Sequence, residues 1–362
     1  MSTDVHRQAY ATCAYCPKVC RFACPVSDAT HNEALSTWGK MSEAHRVTQG
    51  LTTLDASGAQ GLYACTGCMR CRSYCRHENE VGFALFDARE RALQARVAPP
   101  GAESTARRFS EHQNPFGRSL AAEVSRHAAA SPADVPFFPG CSSLAKRPEL
   151  VEDALAVGRA LEVPLGVTAV SERCCGYPLY AAGDIKGFVA HAKRMASSLE
   201  PLPELVVLDP GCAYTFKVVY PRHGVEVRAP VKTVYERFAA KLEAAPKKAP
   251  LPEKVAYHDA CHLGRGLGQY EEPRRLLRAA VSEVAEAPDS REEGGCSGGG
   301  GLLPRTLPES SVAIALRQAG RVAPSGETVV TACPTSRRMF ERAGRKSEDV
   351  LSLVRRWLEA SP

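Results

Sequence analysis

At 362 residues the chain is long enough for about two to three domains of ordinary size. With 44% hydrophobic and 24% charged residues it is neither disordered nor fibrous, and a net charge of +6 is too mild to imply nucleic acid while permitting an acidic partner surface. Its 15 cysteines stand out: they fall well below the about 8 to 10% of a short disulfide scaffold, yet they are clustered.

The first seven residues lack the basic-then-apolar pattern of a secretory signal, and no apolar run nears the about 18 to 20 residues of a membrane span. A cytoplasmic protein is expected, at most peripheral at the inner face of a membrane. Thiols stay reduced in that compartment, so clustered cysteines serve metals or thiol chemistry.

Eight cysteines lie between positions 13 and 75 and read Cys13-x2-Cys16-x3-Cys20-x3-Cys24-Pro25, then Cys65-x2-Cys68-x2-Cys71-x3-Cys75-Arg76. Two residues between thiolates let a tight loop set successive sulfurs on adjacent irons, and the fourth cysteine of such a run serves the neighbouring cluster in two-cluster ferredoxins. The spacing therefore predicts two [4Fe-4S] clusters. One takes Cys13, Cys16, Cys20 and Cys75; the other takes Cys65, Cys68, Cys71 and Cys24. Two departures are visible: one extra residue between Cys16 and Cys20, and Arg76 where proline usually follows. A zinc ribbon or a thioredoxin-type pair would leave four or more of these thiols idle. Lys18, Arg21, Arg70, Arg72 and Arg76 lie among the ligands, where positive charge raises a cluster's potential.

Residues 98–134 collect Pro99, Pro100, Gly101, Asn114, Pro115, Gly117 and Pro132, the composition of a linker. Beyond them, apolar β-prone runs at 135–138, 205–208, 255–257 and 328–331 alternate with helical patterns at 150–161 and 188–199. A last helix gathers Val350, Leu351, Leu353, Val354, Trp357 and Leu358 on one face, which reads as core. Cys141 to Cys261 spans 120 residues and Cys212 to Cys333 spans 121, so one unit recurs. The predicted architecture is α + α/β. A mostly helical two-cluster ferredoxin-like domain (1–97) and a linker (98–134) precede two tandem, pseudo-twofold α/β repeats, at 135–250 and 251–362.

The repeats carry Pro139-Gly140-Cys141, Cys174-Cys175-Gly176-Tyr177-Pro178 and Asp209-Pro210-Gly211-Cys212, then His258-Asp259-Ala260-Cys261-His262-Leu263, Gly295-Cys296-Ser297 with glycines at 298–301, and Ala332-Cys333-Pro334-Thr335-Ser336. Widely separated cysteines that converge suit a centre held where strand ends meet. The glycines lack the Lys-Ser/Thr tail of a phosphate loop, and they suit backbone N–H groups approaching sulfurs closely. His258 and His262 read as hydrogen-bonding neighbours of the sulfurs rather than as bases. No catalytic acid, base or nucleophile is assigned.

Paired ferredoxin motifs, the Cys174-Cys175-Gly176 run, Cys261-His262-Leu263-Gly264-Arg265 with Pro273-Arg274, and Asn114-Pro115-Phe116-Gly117 together resemble the CCG-domain iron-sulfur subunits of glycolate oxidase, anaerobic glycerol-3-phosphate dehydrogenase and heterodisulfide reductase. The resemblance covers nearly the whole chain. It implies CCG repeats with up to five thiolates each. Here the first keeps Cys141, Cys174, Cys175 and Cys212, with Thr215 in the last place, enough for a third iron-sulfur or zinc centre. The second keeps Cys261, Cys296 and Cys333, with Ser336 last and either Gly295 or Ser297 replacing one of the pair. His258 or His262 can complete that set, or it packs as free cysteines.

The family implies an electron-transfer subunit. A partner flavoprotein, either an FAD-linked dehydrogenase or an electron-transfer flavoprotein, would pass electrons through two [4Fe-4S] clusters to a quinone or another carrier, in the membrane or not. The alternative is a catalytic subunit that reduces a disulfide or quinone at the CCG cysteines. A third reading is a scaffold whose metals are structural.

Overall fold

The computed structural model describes residues 6–129, 134–242 and 248–360. The N-terminal part is helical, its longer helices being Arg7–Ala14, Thr37–Thr48, Ala56–Tyr63 and Val81–Gln94. Their starts are written locally: the Ser36 side chain accepts the Gly39 amide and Asp55 accepts that of Gly58. Pro25, directly after Cys24, supplies the fixed φ of a first helical turn. Tyr10, Met41, Leu62, Tyr63 and Leu85 close this part around one core.

Two four-stranded parallel sheets follow. The first contains β1 (Val135–Phe138), β2 (Leu165–Val167), β3 (Leu205–Val207) and β4 (Val231–Thr233) in the order β2-β1-β3-β4. The second contains β5 (Leu251–His258), β6 (Val281–Glu286), β7 (Thr328–Thr331) and β8 (Ser347–Asp349) in the same relative order, β6-β5-β7-β8. Helices cover the strands, as parallel pairing requires, and Phe137, Phe138, Val206 and Val330 are fully buried. In each sheet the order of travel reverses between the two central strands, and the crevice outside their carboxyl ends is where such sheets take ligands.

One hydrophobic core runs through both sheets, from Phe137, Leu155 and Val206 to Tyr257, Val330 and Trp357. The helix Pro148–Ala160 packs on the last helix, Val350–Glu359, and Asp153 accepts hydrogen bonds from Ser352 (2.6 Å) and Arg355 (3.1 Å) across that joint. The apolar stripe of the last helix is therefore core, with Leu358 half-buried at its edge.

Three expectations need revision. The strand expected at 255–257 runs from Leu251 to His258. The helices expected at 150–161 and 188–199 start earlier, at Pro148 and Ile185, the second capped by Asp184 accepting the Gly187 amide. The linker is not an open tether: it forms the helices Pro100–His112 and Ala121–Ala129, which bury Thr105, Phe109 and Val124. Pro100 opens the first of these helices, and Gly101 lies where a Cβ would stand 2.3 Å from the Arg305 carbonyl oxygen. Prolines and glycines in this segment mark a helix start and a close approach, not flexibility.

Arg89 joins the three parts of the molecule. Wholly buried, it donates to the carbonyl oxygens of Leu62 (3.2 Å), Cys65 (2.7 Å), Ala181 (2.7 Å) and Gly301 (3.0 Å), with its guanidinium over the Phe86 and Tyr63 rings. Among the described residues no helix is long and apolar enough to cross a membrane.

Candidate metal centre

The first quartet assembles from the loops around Arg7–Ala14 and the turn before Val81. Cys16, Cys20 and Cys75 lie close enough to raise the pKa of Cys13, though burial is the larger cause, and together these push that thiol up to about 12. The Asn79 amide donates to the Cys13 sulfur at 3.1 Å and to the Ala9 carbonyl at 2.8 Å. In the second quartet burial pushes Cys71 well up, and Cys68, Cys65 and Cys24 add to the shift. Cys20 of the first quartet contributes as well, so the two quartets are neighbours.

Lys40 brings a cation to a sulfur. Its ammonium is completely enclosed, donating to Cys24 Sγ (3.2 Å) and to the Ala64 carbonyl (3.0 Å). Burial opposes its charge, but the Cys24 and Cys65 sulfurs outweigh that and raise its pKa. Four of the five basic residues singled out by sequence are engaged elsewhere: Lys18 over the Trp38 ring, Arg21 with Glu33, Arg72 with Glu80, and Arg70 with Asp289 and the Glu293 carbonyl, while Arg76 is exposed. Nothing in the local spacing marks Lys40, which lies 16 residues beyond Cys24 in another helix.

Cysteines of the two sheets occupy the crevices that the topology creates. Cys141 and Cys212 follow β1 and β3; Cys261 and Cys333 follow β5 and β7; Cys174, Cys175 and Cys296 come from the segments after β2 and β6. Gly140 lies at φ +84, where a Cβ would stand 3.2 Å from Cys212 Sγ, so a side chain is excluded beside that sulfur. The Cys141 thiol approaches Cys174 Sγ at 3.2 Å. Hydrogen bonds from Cys174 and Cys212 hold Cys175 well below the usual thiol range, and Thr215 adds another.

In the second sheet Ser297 Oγ meets Ser336 Oγ at 2.9 Å. Thr215 and Ser336 each stand three residues after the last cysteine, at 212 and 333. Ser297 thus meets Ser336 as Cys175 meets Thr215, an arrangement that fits Ser297, rather than Gly295, standing in the place of Cys175. Burial pushes Cys333 up to about 12 and Cys261 up to about 11. His258 has both ring nitrogens engaged, by Thr331 Oγ1 (3.0 Å) and the Gly295 carbonyl (3.3 Å), and burial lowers its pKa to about 4. His262, also lowered to about 4 by burial, stacks on Tyr214 and faces the Tyr177 hydroxyl at 3.4 Å.

All seven of these cysteines line one cleft of about 1110 Å³ between the two sheets, with Pro115 and Phe116 from the supposed linker in its wall. The same cleft touches the second quartet. A hydrogen bond from the Cys296 thiol holds Cys68 well below the usual thiol range, and Cys296 Sγ lies 3.5 Å from Thr66 Oγ1. The glycine run presses on this loop: a Cβ on Gly300 would stand 2.2 Å from the Thr66 oxygen, and one on Gly301 2.1 Å from the Cys65 oxygen. Gly298 also donates its amide to Cys296 Sγ at 3.3 Å.

Burial raises the pKa of Cys13, Cys71, Cys261 and Cys333, and a bound multivalent cation would offset that cost by neutralising the thiolates, so the donor set fits an iron-sulfur group. Comparison with known proteins agrees. Residues 9–79 match the 4Fe-4S dicluster domain, and residues 135–217 and 255–341 match the cysteine-rich (CCG) domain, twice. The chain belongs to the CCG-domain iron-sulfur subunit family. Family members similar to it include a subunit of the fumarate reductase (CoM/CoB) of Methanothermobacter marburgensis, 28% identical, covering 81% of this chain and 58% of that protein. A subunit of the dihydromethanophenazine:CoB–CoM heterodisulfide reductase of Methanosarcina barkeri is 25% identical over 81% and 77%. The EtfAB:quinone oxidoreductase of Syntrophomonas wolfei is 27% identical over 74% and 40%. The chain thus spans about half the length of several relatives that it matches.

Lys40→Met removes a charged N–H donor from a ligand sulfur. Such a bond contributes about 1.5 to 3 kcal/mol, so one of the low-potential signals is expected to move down by up to about 60 to 130 mV while any other stays in place. A redox titration followed by electron paramagnetic resonance reads this directly, and equal movement of all signals would count against a local role.

Proposed function

We propose that this chain carries electrons from a partner flavoprotein to an acceptor through two [4Fe-4S] clusters, one on Cys13, Cys16, Cys20 and Cys75 and one on Cys65, Cys68, Cys71 and Cys24. The partner is an FAD-linked dehydrogenase or an electron-transfer flavoprotein, and the acceptor is a quinone or another carrier. The two sheets are copies of one CCG unit, a reading supported by their shared strand order. When bound, such clusters move one electron at a time, so they split the two electrons of a reduced flavin into single transfers. The residues of the chain keep the sulfurs dry, aim N–H groups at them from Lys40 and Asn79, and clamp the helical part to the sheets through Arg89.

The path we propose is supported at its inner end, where Cys68 of the second quartet reaches Cys296 in the cleft. Cys16, Cys20 and Cys75 of the first quartet are half-exposed, as are Cys65 and Cys71 of the second. Electrons enter at the first quartet and leave at the cleft. The cleft also favours a second reading, in which the acceptor is reduced inside this chain at Cys141, Cys174, Cys175 and Cys212, around an iron-sulfur or zinc centre. Anaerobic iron and sulfide analysis with paramagnetic resonance tests both. About eight irons and a pair of coupled reduced signals are expected, and about twelve would add a centre at the cleft. Zinc alone would reject the path, and disulfide or quinone reduction without any flavoprotein would select the second reading.

A further inference from the structure

We propose that the mouth of the cysteine-lined cleft binds the oxyanion of a small organic acid, a carboxylate or phosphate joined to an apolar body, through Arg305 and Arg338. The inference rests on the reading of the cleft as the place where the acceptor arrives. Both side chains line it. Arg305 is half-buried, and its guanidinium donates to the Pro115 carbonyl at 3.1 Å. Arg338, on the helix Pro334–Arg342, has a buried Nε with no acceptor.

The surrounding charges leave these two uncompensated. Arg147 and Arg337 occupy Glu149 and Glu341, the carboxylates on this side. Burial, with the nearby cations Arg342, Arg305 and Arg147, lowers the Arg338 pKa against an opposing pull from the Cys333 sulfur, and burial with Arg108 lowers that of Arg305. Asp209 is the one carboxylate among the described residues lining the cleft, and its Oδ1 is taken by the Gly211 amide at 2.8 Å. A partly desolvated guanidinium pair without carboxylates is a fork built for a planar or tetrahedral oxyanion. Beside it, Phe116, Leu302 and Pro304 offer an apolar wall that leads toward the sulfurs. The ligand is therefore held by its acid group at the mouth, with its body extending inward.

The test uses the cluster-loaded full chain and two matched fluorescent probes, 8-anilino-1-naphthalenesulfonate and its uncharged counterpart N-phenyl-1-naphthylamine. The anionic probe is expected to bind at least about tenfold more tightly, and Arg305→Gln or Arg338→Gln to remove that preference while leaving the neutral probe unaffected. Arg338→Lys, which keeps the charge, is expected to retain part of it. Hexanoate and hexyl phosphate distinguish the two acid types by displacement, and displacement by neither overturns the proposal. Equal binding of the two probes, or an anion preference untouched by both glutamine variants, also overturns it. Iron content and reduced signals are followed in the same samples. Loss of anion binding with intact signals removes this inference alone, whereas protein without iron removes the reading beneath it.

Discussion

Arg89→Met is expected to separate the helical part from the two sheets. Methionine fills much of the same volume, so the cavity left is small, but the carbonyls of Leu62, Cys65, Ala181 and Gly301 lose their donor. Each stranded buried acceptor costs about 1 to 3 kcal/mol, so the four together cost at least about 4 kcal/mol of a total stability of about 5 to 15, and half of that loss, at Ala181 and Gly301, falls across the joint. A chain of several domains need not melt in one step, so the readout is local as well as global. Limited proteolysis should cut between residues 98 and 134, and the first thermal transition should fall by about 5 to 10 °C. Arg89→Lys keeps the charge but loses the fork and is expected to lie between. An unchanged protease pattern in the methionine variant would show that the joint is held elsewhere.

The second large effect concerns the crossing of the quartets. Cys24→Ala is expected to abolish the same reduced signal as Cys65→Ala, and Cys75→Ala the same signal as Cys13→Ala, although each pair is separated by more than forty residues. Each variant should lose about four of about eight irons, half the content, rather than all of it. The geometry motivates this: Lys40 touches Cys24 while sensing Cys65 and Cys71, and Cys75 lies close enough to Cys13 to raise its pKa. Paramagnetic resonance on the four variants decides, and loss of the same signal from Cys24→Ala and Cys13→Ala would refute the crossing.

The features legible in the sequence were local. The strands at 135–138 and 328–331 appear with the expected bounds, because short β-branched and aromatic runs between helices have few alternatives in a parallel sheet. The 120-residue recurrence of cysteines corresponds to matching places after central strands. Composition misled where it marked 98–134 as a linker: buried Asn114 folds its own loop, donating to the His112 and Arg118 carbonyls and accepting the Phe116 amide. Lys40, Asn79 and Arg89 were not legible, since each acts on a partner brought near by tertiary packing. The same holds for the single cleft. Subtraction of positions pairs Cys141 with Cys261 as equivalents, but only the packing of one sheet against the other makes them face a common space.

The pressing of Gly300 and Gly301 on the Cys65 loop bears on how the protein is made. The loop leaves the ribosome more than two hundred residues before the glycines that cover it, so it is open to iron and sulfide donors throughout that interval. Once the glycine backbone has settled on Thr66 and Cys65, that face of the loop is covered, while Cys65 and Cys71 stay half-exposed. A cluster carried by this loop would be installed more easily before the glycines arrive than after, when their backbone must first lift.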